Sequence, residues 1–339
     1  MNFLIKYITA FILFLSNISL LYASEINIYS HRQPFLINPF LEEFTKKTGI
    51  KTNVVYATKG LAQRLRAEGK NSPADVILTV DIGRLYIYED MDLLAKITSQ
   101  ILDQNIPAHL KSDRNTWFGL SKRSRIIATS KERIKENEIL RIEDLADPKW
   151  KGKICSRPGS HVYNRALMAS IIAEYGLEKA EKWALGLVSN LARRPQGNDR
   201  AQVKGIYEGL CDIAIINNYY FGKLKYSEDP IQREWAKSMR LTFPNQGEGD
   251  RGAHINISGG GVAKYSKNKE AAIKLLEFLS SMDAQKMYSE INFEYPVNSK
   301  IKPSDELMSW GDFREDKISI EKIAILSMDA QKIIDRVGW

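Results

Sequence analysis

Apolar residues along this chain come in short runs, and the stretches between the runs space their apolar positions at helical intervals. Glu25-Ile26-Asn27-Ile28-Tyr29, Lys51 to Tyr56 and Ala74 to Val80 read as strands. Between the first two, Asn38 as N-cap, Pro39 at the first helical position, Phe40, Leu41 and Phe44 on one face and Gly49 at the stop predict a helix. Leu61 to Arg66 predicts another. Such alternation implies βαβ units and a mostly parallel sheet flanked by helices. Trp117 to Thr129 is extended and leads away from this first set. Ile142 to Trp150 then feeds the strand-like Lys153-Ile154-Cys155, and helices are expected over 165–174, 177–187 and 201–209. Phe243 to Gly252 is a loop by composition; it delivers a strand over His254–Ser258, then the glycine run Gly259-Gly260-Gly261, then a helix over 269–280.

The second set is organised around Asn217-Asn218-Tyr219-Tyr220, which closes the apolar run Cys211 to Ile216. Asn favours turns and helix N-caps, so Asn218 is expected to cap a helix whose first turn carries both tyrosines. That places two phenols at the carboxyl end of a strand, where open α/β sheets bind ligands. The alternative is two rings packing a strand–helix corner. Tyr163, in Ser156-Arg157-Pro158-Gly159-Ser160-His161-Val162-Tyr163-Asn164, comes after the Cys155 strand by the same logic. Three phenolates supply three negative charges and hard oxygen donors, which suits Fe(III). A phenol ordinarily keeps its proton to about pH 10, so the ion itself must displace the protons and affinity should fall in acid.

Length and composition set the frame for this chemistry. The 339 residues exceed what one core usually supports, and two extended crossings predict two lobes, 24–122 plus 253–303 and 123–252 plus 304–339. Lys6 followed by the apolar stretch Tyr7–Tyr22 and small residues at Ala23-Ser24 reads as a cleaved export signal over 1–23, the alternative being a membrane anchor. The formal charge is +8, scattered rather than gathered into a tract, so attraction of an anion into a cleft fits better than nucleic-acid binding. Cys155 and Cys211 are the two cysteines, and neighbouring strands in an oxidising compartment would bring them together as a disulfide, two free thiols being the alternative. There is no Gly-x-Ser-x-Gly elbow, His-Glu-x-x-His site or P-loop, which argues against an enzyme.

Asn71-Ser72-Pro73-Ala74-Asp75 with Thr79-Val80-Asp81, Leu145 to Gly152, Pro195-Gln196-Gly197-Asn198-Asp199 and the Tyr-Tyr pair together resemble the periplasmic ferric-ion-binding proteins of ABC transporters. These lie within the type II periplasmic-binding-protein superfamily, and the likeness spans essentially the whole chain after the signal. It implies a two-lobed fold joined by hinge strands, with Tyr163, Tyr219 and Tyr220 as the ligands of Fe(III) carried as cargo. It also implies a monomer that passes iron to a membrane permease and, through it, to an ATPase. Members with a five-residue site supply a His-Tyr pair just after the first strand, where this chain has Gln33-Pro34. The pattern therefore resembles the branch that completes coordination with an anion such as carbonate. Arg32 and Gln33 are expected to hold that anion, since a guanidinium forks well onto a planar oxyanion. His31 is either a fourth ligand or an exposed loop histidine. Arg125, Gln196 and Asn198 are expected near the cleft, Arg125 equally as a hinge salt bridge. Asp75 and Asp81 read as structural, Asp81 as the cap of the next helix. A further reading keeps the fold and exchanges iron for an organic or phosphorylated anion.

Overall fold

The computed structural model describes residues 25–339, so the export signal expected over 1–23 lies outside it. Eight strands form one mixed sheet in the order β2-β1-β3-β8-β4-β6-β5, with β7 paired to β4. They are β1 (Glu25–Ser30), β2 (Lys51–Tyr56), β3 (Val76–Thr79), β4 (Phe118–Ser130), β5 (Ile154–Cys155), β6 (Ile213–Asn217), β7 (Met239–Thr242) and β8 (Ile255–Val262). The helices that bear on the cleft are α1 (Pro34–Thr48), α2 (Ile82–Asp90), α3 (Val162–Tyr175), α4 (Asp199–Tyr207), α5 (Tyr219–Lys225) and α6 (Met282–Ile291). β1 pairs in parallel with β2 and β3, and β5 with β6. Every pairing of β4 and β8 is antiparallel, so the sheet is less parallel than alternation suggested. The reason lies in β4. Its first half pairs with β8 and its second half with β6 and β7, so one long strand carries the chain from one flank of the sheet to the other.

Two local expectations are corrected. Helix α1 begins at Pro34, not after Asn38, and Pro39 lies inside it. Its buried face is Ile37, Phe40, Leu41 and Phe44, so the apolar stripe itself starts upstream of Asn38, and Pro34 takes the first-turn position where a missing N–H costs nothing. The predicted stop holds: Gly49 sits in the left-handed region at φ 73°. The glycine run belongs to β8 rather than lying beyond it. A Cβ at Gly259, Gly260 or Gly261 would lie 2.5–2.7 Å from the carbonyl oxygens of Phe118, Ile77 and Thr116, so glycine here permits close backbone approach inside a sheet.

The aspartates behave as expected. Asp81 caps α2 by accepting from Arg84 N, and Asp75 accepts from Asn27 N and Ser266 Oγ. Cys155 and Cys211 form a disulfide, joining the end of β5 to the approach of β6. No helix among the described residues is long and apolar enough to cross a membrane.

One residue ties the flanks together. Phe293, just past α6, adopts φ 57°, uncommon for a bulky side chain. Its ring lies against Gly222 of α5, where any Cβ would come within 2.4 Å of it, and stacks on Tyr226 at 5.5 Å. Its carbonyl accepts from Asn218 Nδ2. The next residue, Glu294, receives Arg32 on both carboxylate oxygens, at 3.2 and 2.6 Å, and Ser121 Oγ at 2.8 Å.

Candidate functional site

β6 ends at Asn217, and the chain turns at once into α5. Asn218 stands at the N-cap position but has helical backbone and does not cap with its side chain. Its Oδ1 instead accepts from Ser124 N of β4 at 2.8 Å, so the residue anchors the turn to that long strand. Asn217 accepts from Arg125 Nη1 at 3.1 Å. With both asparagines turned into the protein, Tyr219 and Tyr220 present their rings to the cleft, 4.5 Å apart between centroids. Tyr163 arrives from the first turn of α3, and Tyr219 Oη donates to Tyr163 Oη at 3.1 Å. The three tyrosines predicted from sequence are thus brought into one cluster lining a cleft of about 380 Å³.

Burial raises the hydroxyls of Tyr219 and Tyr220 well above the ordinary phenol value, and the neighbouring phenols add to the effect. Cations oppose it. The Arg157 and Arg123 guanidinium carbons lie 5.1 and 5.4 Å from the Tyr163 ring centroid, and that of Arg200 lies 5.7 Å from the Tyr220 ring. Lys59, Arg84, Arg157, Arg200 and Lys223 line the cleft, and no Asp or Glu does. An adjoining cavity of about 590 Å³ shares Lys59, Arg84 and Arg157, adds Arg165, and again has no carboxylate. Among the described residues no cluster of three His, Cys, Asp or Glu is placed to hold a metal, so phenols are the ionisable oxygen donors this cleft offers.

The expected anion contacts divide. Gln33 and Asn198 line the cleft, although Asn198 Oδ1 caps α4 by accepting from Ala201 N. Gln196 is exposed and outside the lining. Arg32, only 1% exposed, is committed to Glu294, and its Nη1 donates to Ser258 Oγ at 2.7 Å. Arg125 is equally buried, paired with Asp199 at 3.0 Å and donating to Asn164 and Asn217. Neither lines the cleft, because a buried guanidinium must be paired and hydrogen-bonded within the protein. Of the two alternatives Arg125 takes the salt bridge, and it joins the residue after Tyr163 to the strand end before Tyr219.

His31 lines the cleft without being an exposed loop residue: it is buried. Its Nδ1 bonds the Ala57 carbonyl at 2.8 Å and must carry the proton, while Nε2 receives the Tyr88 hydroxyl at 2.9 Å. Both nitrogens are used, and burial with Arg84 nearby lowers its pKa to about 4. His161, given no role from sequence, is the converse. Its Nδ1 accepts from Tyr163 N at 3.3 Å, which puts the proton on Nε2, and that nitrogen has no protein partner among the described residues. The one sequence signal was its place just before a helix, which does not say where the free edge points.

The model of the bacterial extracellular solute-binding protein family matches residues 71–315. The chain belongs to this family. It is 43% identical over 316 residues to iron uptake protein A1 of Synechocystis sp., covering 93% of this chain and 87% of that protein. The apo ferric ion-binding protein A of Pasteurella haemolytica superposes with TM-score 0.88 at 47% identity, covering 93% and 98% of the two chains. A Trichodesmium protein solved with iron and citrate matches with TM-score 0.88 at 45% identity, covering 93% of this chain and 100% of that one. These relatives are uptake and binding proteins, not enzymes, and the fold is that of the type II periplasmic ferric-binding proteins.

Proposed function

We propose that this solute-binding protein carries Fe(III) in the periplasm, held by the phenolates of Tyr163, Tyr219 and Tyr220, and delivers it as a monomer to an ABC permease and its ATPase. The observation that carries the reading is the convergence of three tyrosines in a cleft without carboxylates, with two phenol oxygens 3.1 Å apart. The names of the relatives support iron as the cargo. The lobes, 24–122 plus 253–303 and 123–252 plus 304–339, close by bending about β4 and the chain entering β8.

Three phenolates neutralise the ferric charge, so the surrounding cations are left to attract an anion such as carbonate. In this reading Arg84, Arg200 and the free His161 Nε2–H hold it, with Gln33 at the margin and Arg157, which shares Asp199 with Arg125, beside them, in place of the committed Arg32 and Arg125. Titrating the apo-protein with ferric citrate in bicarbonate buffer tests the proposal. A phenolate-to-iron charge-transfer band saturating at one iron per chain is expected, and its absence would overturn the reading. A second reading, an organic or phosphorylated anion as cargo, is favoured by the lining of cations without carboxylates. It predicts no colour and thermal stabilisation by the anion alone.

A further inference from the structure

We propose that Tyr56 is a fourth phenolate ligand, offered to the ferric ion from the opposite wall of the cleft. The inference rests on the ferric reading above. Tyr56 is the last residue of β2, paired in register with Ser30 of β1, so it stands beside the turn that carries His31 to Gln33. It lines the same cleft as Tyr163, Tyr219 and Tyr220. The residue is 37% exposed and its hydroxyl has no hydrogen-bond partner among the described residues.

Of the residues on that wall, His31 has both nitrogens engaged, Lys59 and Arg84 are cations, and Val80, Phe35 and Leu36 are apolar. Pro34 has nothing to coordinate with. Tyr56 alone carries an oxygen that ionises. A phenol there supplies a hard anionic donor, and Lys59, three residues away, offsets its charge. Binding is then Fe(III) plus four phenols giving four Fe–O bonds, with each phenolic proton released to solvent, one more than three tyrosines would release.

The test compares wild type, Tyr56→Phe and, as an exposed tyrosine outside the cleft, Tyr265→Phe. Each apo-protein is titrated with ferric citrate in bicarbonate, and absorbance, iron release to a chelator and proton release are recorded. Tyr56→Phe keeps the ring and removes only the oxygen, so its apo melting temperature should match wild type. Its iron complex should absorb less per iron, release one proton fewer, and lose iron about 10–100-fold faster, at least the effect of removing a supporting partner from a metal site. Tyr265→Phe should match wild type throughout. A wild-type band with Tyr56→Phe unchanged in all three readouts overturns the role of Tyr56 alone. No band in wild type overturns the ferric reading and this proposal together.

Discussion

The two walls of the cleft use the same local device, a parallel strand that ends and turns directly into a helix, yet they spend it differently. At the end of β6 the first two residues are asparagines, and both turn inward: Asn217 to Arg125, Asn218 to Ser124 and Phe293. Tyr219 and Tyr220, next in the chain, face the cleft. At the end of β1 the inward work falls on His31 and Arg32, which bond Tyr88, Ala57 and Glu294. Gln33 and Pro34 come next there, and neither offers an ionisable donor. A strand–helix corner needs polar side chains to satisfy its own backbone and its neighbours. Where small amides do that, the larger groups remain available; where the larger groups do it, the corner itself has little left for a ligand.

Removing the phenols of one wall should have the largest effect. Tyr219→Phe/Tyr220→Phe is expected to abolish the charge-transfer band while leaving the apo-protein folded, because both rings and their packing persist. Retention of the band would mean that β6 does not supply the metal site. Next comes the ion pair beneath that wall. Asp199 serves both Arg125 and Arg157, and Asp199→Ala should cost about 3–5 kcal/mol in urea unfolding by leaving buried guanidiniums unpaired. An unchanged unfolding midpoint would show that the pair contributes nothing to positioning the tyrosines.

The disulfide distinguishes the walls as well, since it ties β5 to the approach of β6 and has no counterpart beside β1. Cys155→Ser/Cys211→Ser should lower stability by about 2–4 kcal/mol, read from the same urea curves, and loosen Tyr163 relative to Tyr219.

On iron binding, the smallest effect belongs to His31. His31 and His254 both resist protonation in the folded protein, chiefly because they are buried, with His31 held to about 4. The unfolded chain takes up these protons near 6.5, so stability is fully present above that pH. It falls as the pH drops toward 4, by up to about 1.4 kcal/mol per pH unit for each histidine. His31→Gln should flatten that dependence between pH 6.5 and 4 and leave iron affinity nearly unchanged. An effect on iron as large as that of losing Tyr220 would instead make His31 a ligand.

The contrast between the walls also separates what neighbouring residues encode from what distant ones decide. Short β-branched runs, the stop at Gly49, the cap at Asp81 and the tyrosines after β5 and β6 were legible because each depends on residues within a few positions of one another. The face on which ligand chemistry gathers was implied by the alternation of elements. Proline and glycine misled where their local meaning was ambiguous. Pro39 suits a helix start, yet Ile37 already belongs to the buried stripe of α1, and glycines that suggest a break serve backbone contact across strands distant in sequence.

The sequence by itself determined the alternating architecture, the cysteine pair and the three phenols at strand ends, because period, turn chemistry and donor type are local properties. Only the tertiary structure decided which charged groups stay free. Arg32 meets Glu294 across 262 positions and Arg125 meets Asp199 across 74, and these burials withdraw the two arginines that looked suited to an anion. The same packing leaves Arg84, His161 and Tyr56 at the cleft, since a buried charge is committed to whichever partner the fold brings to it, and spacing along the chain does not encode that partner.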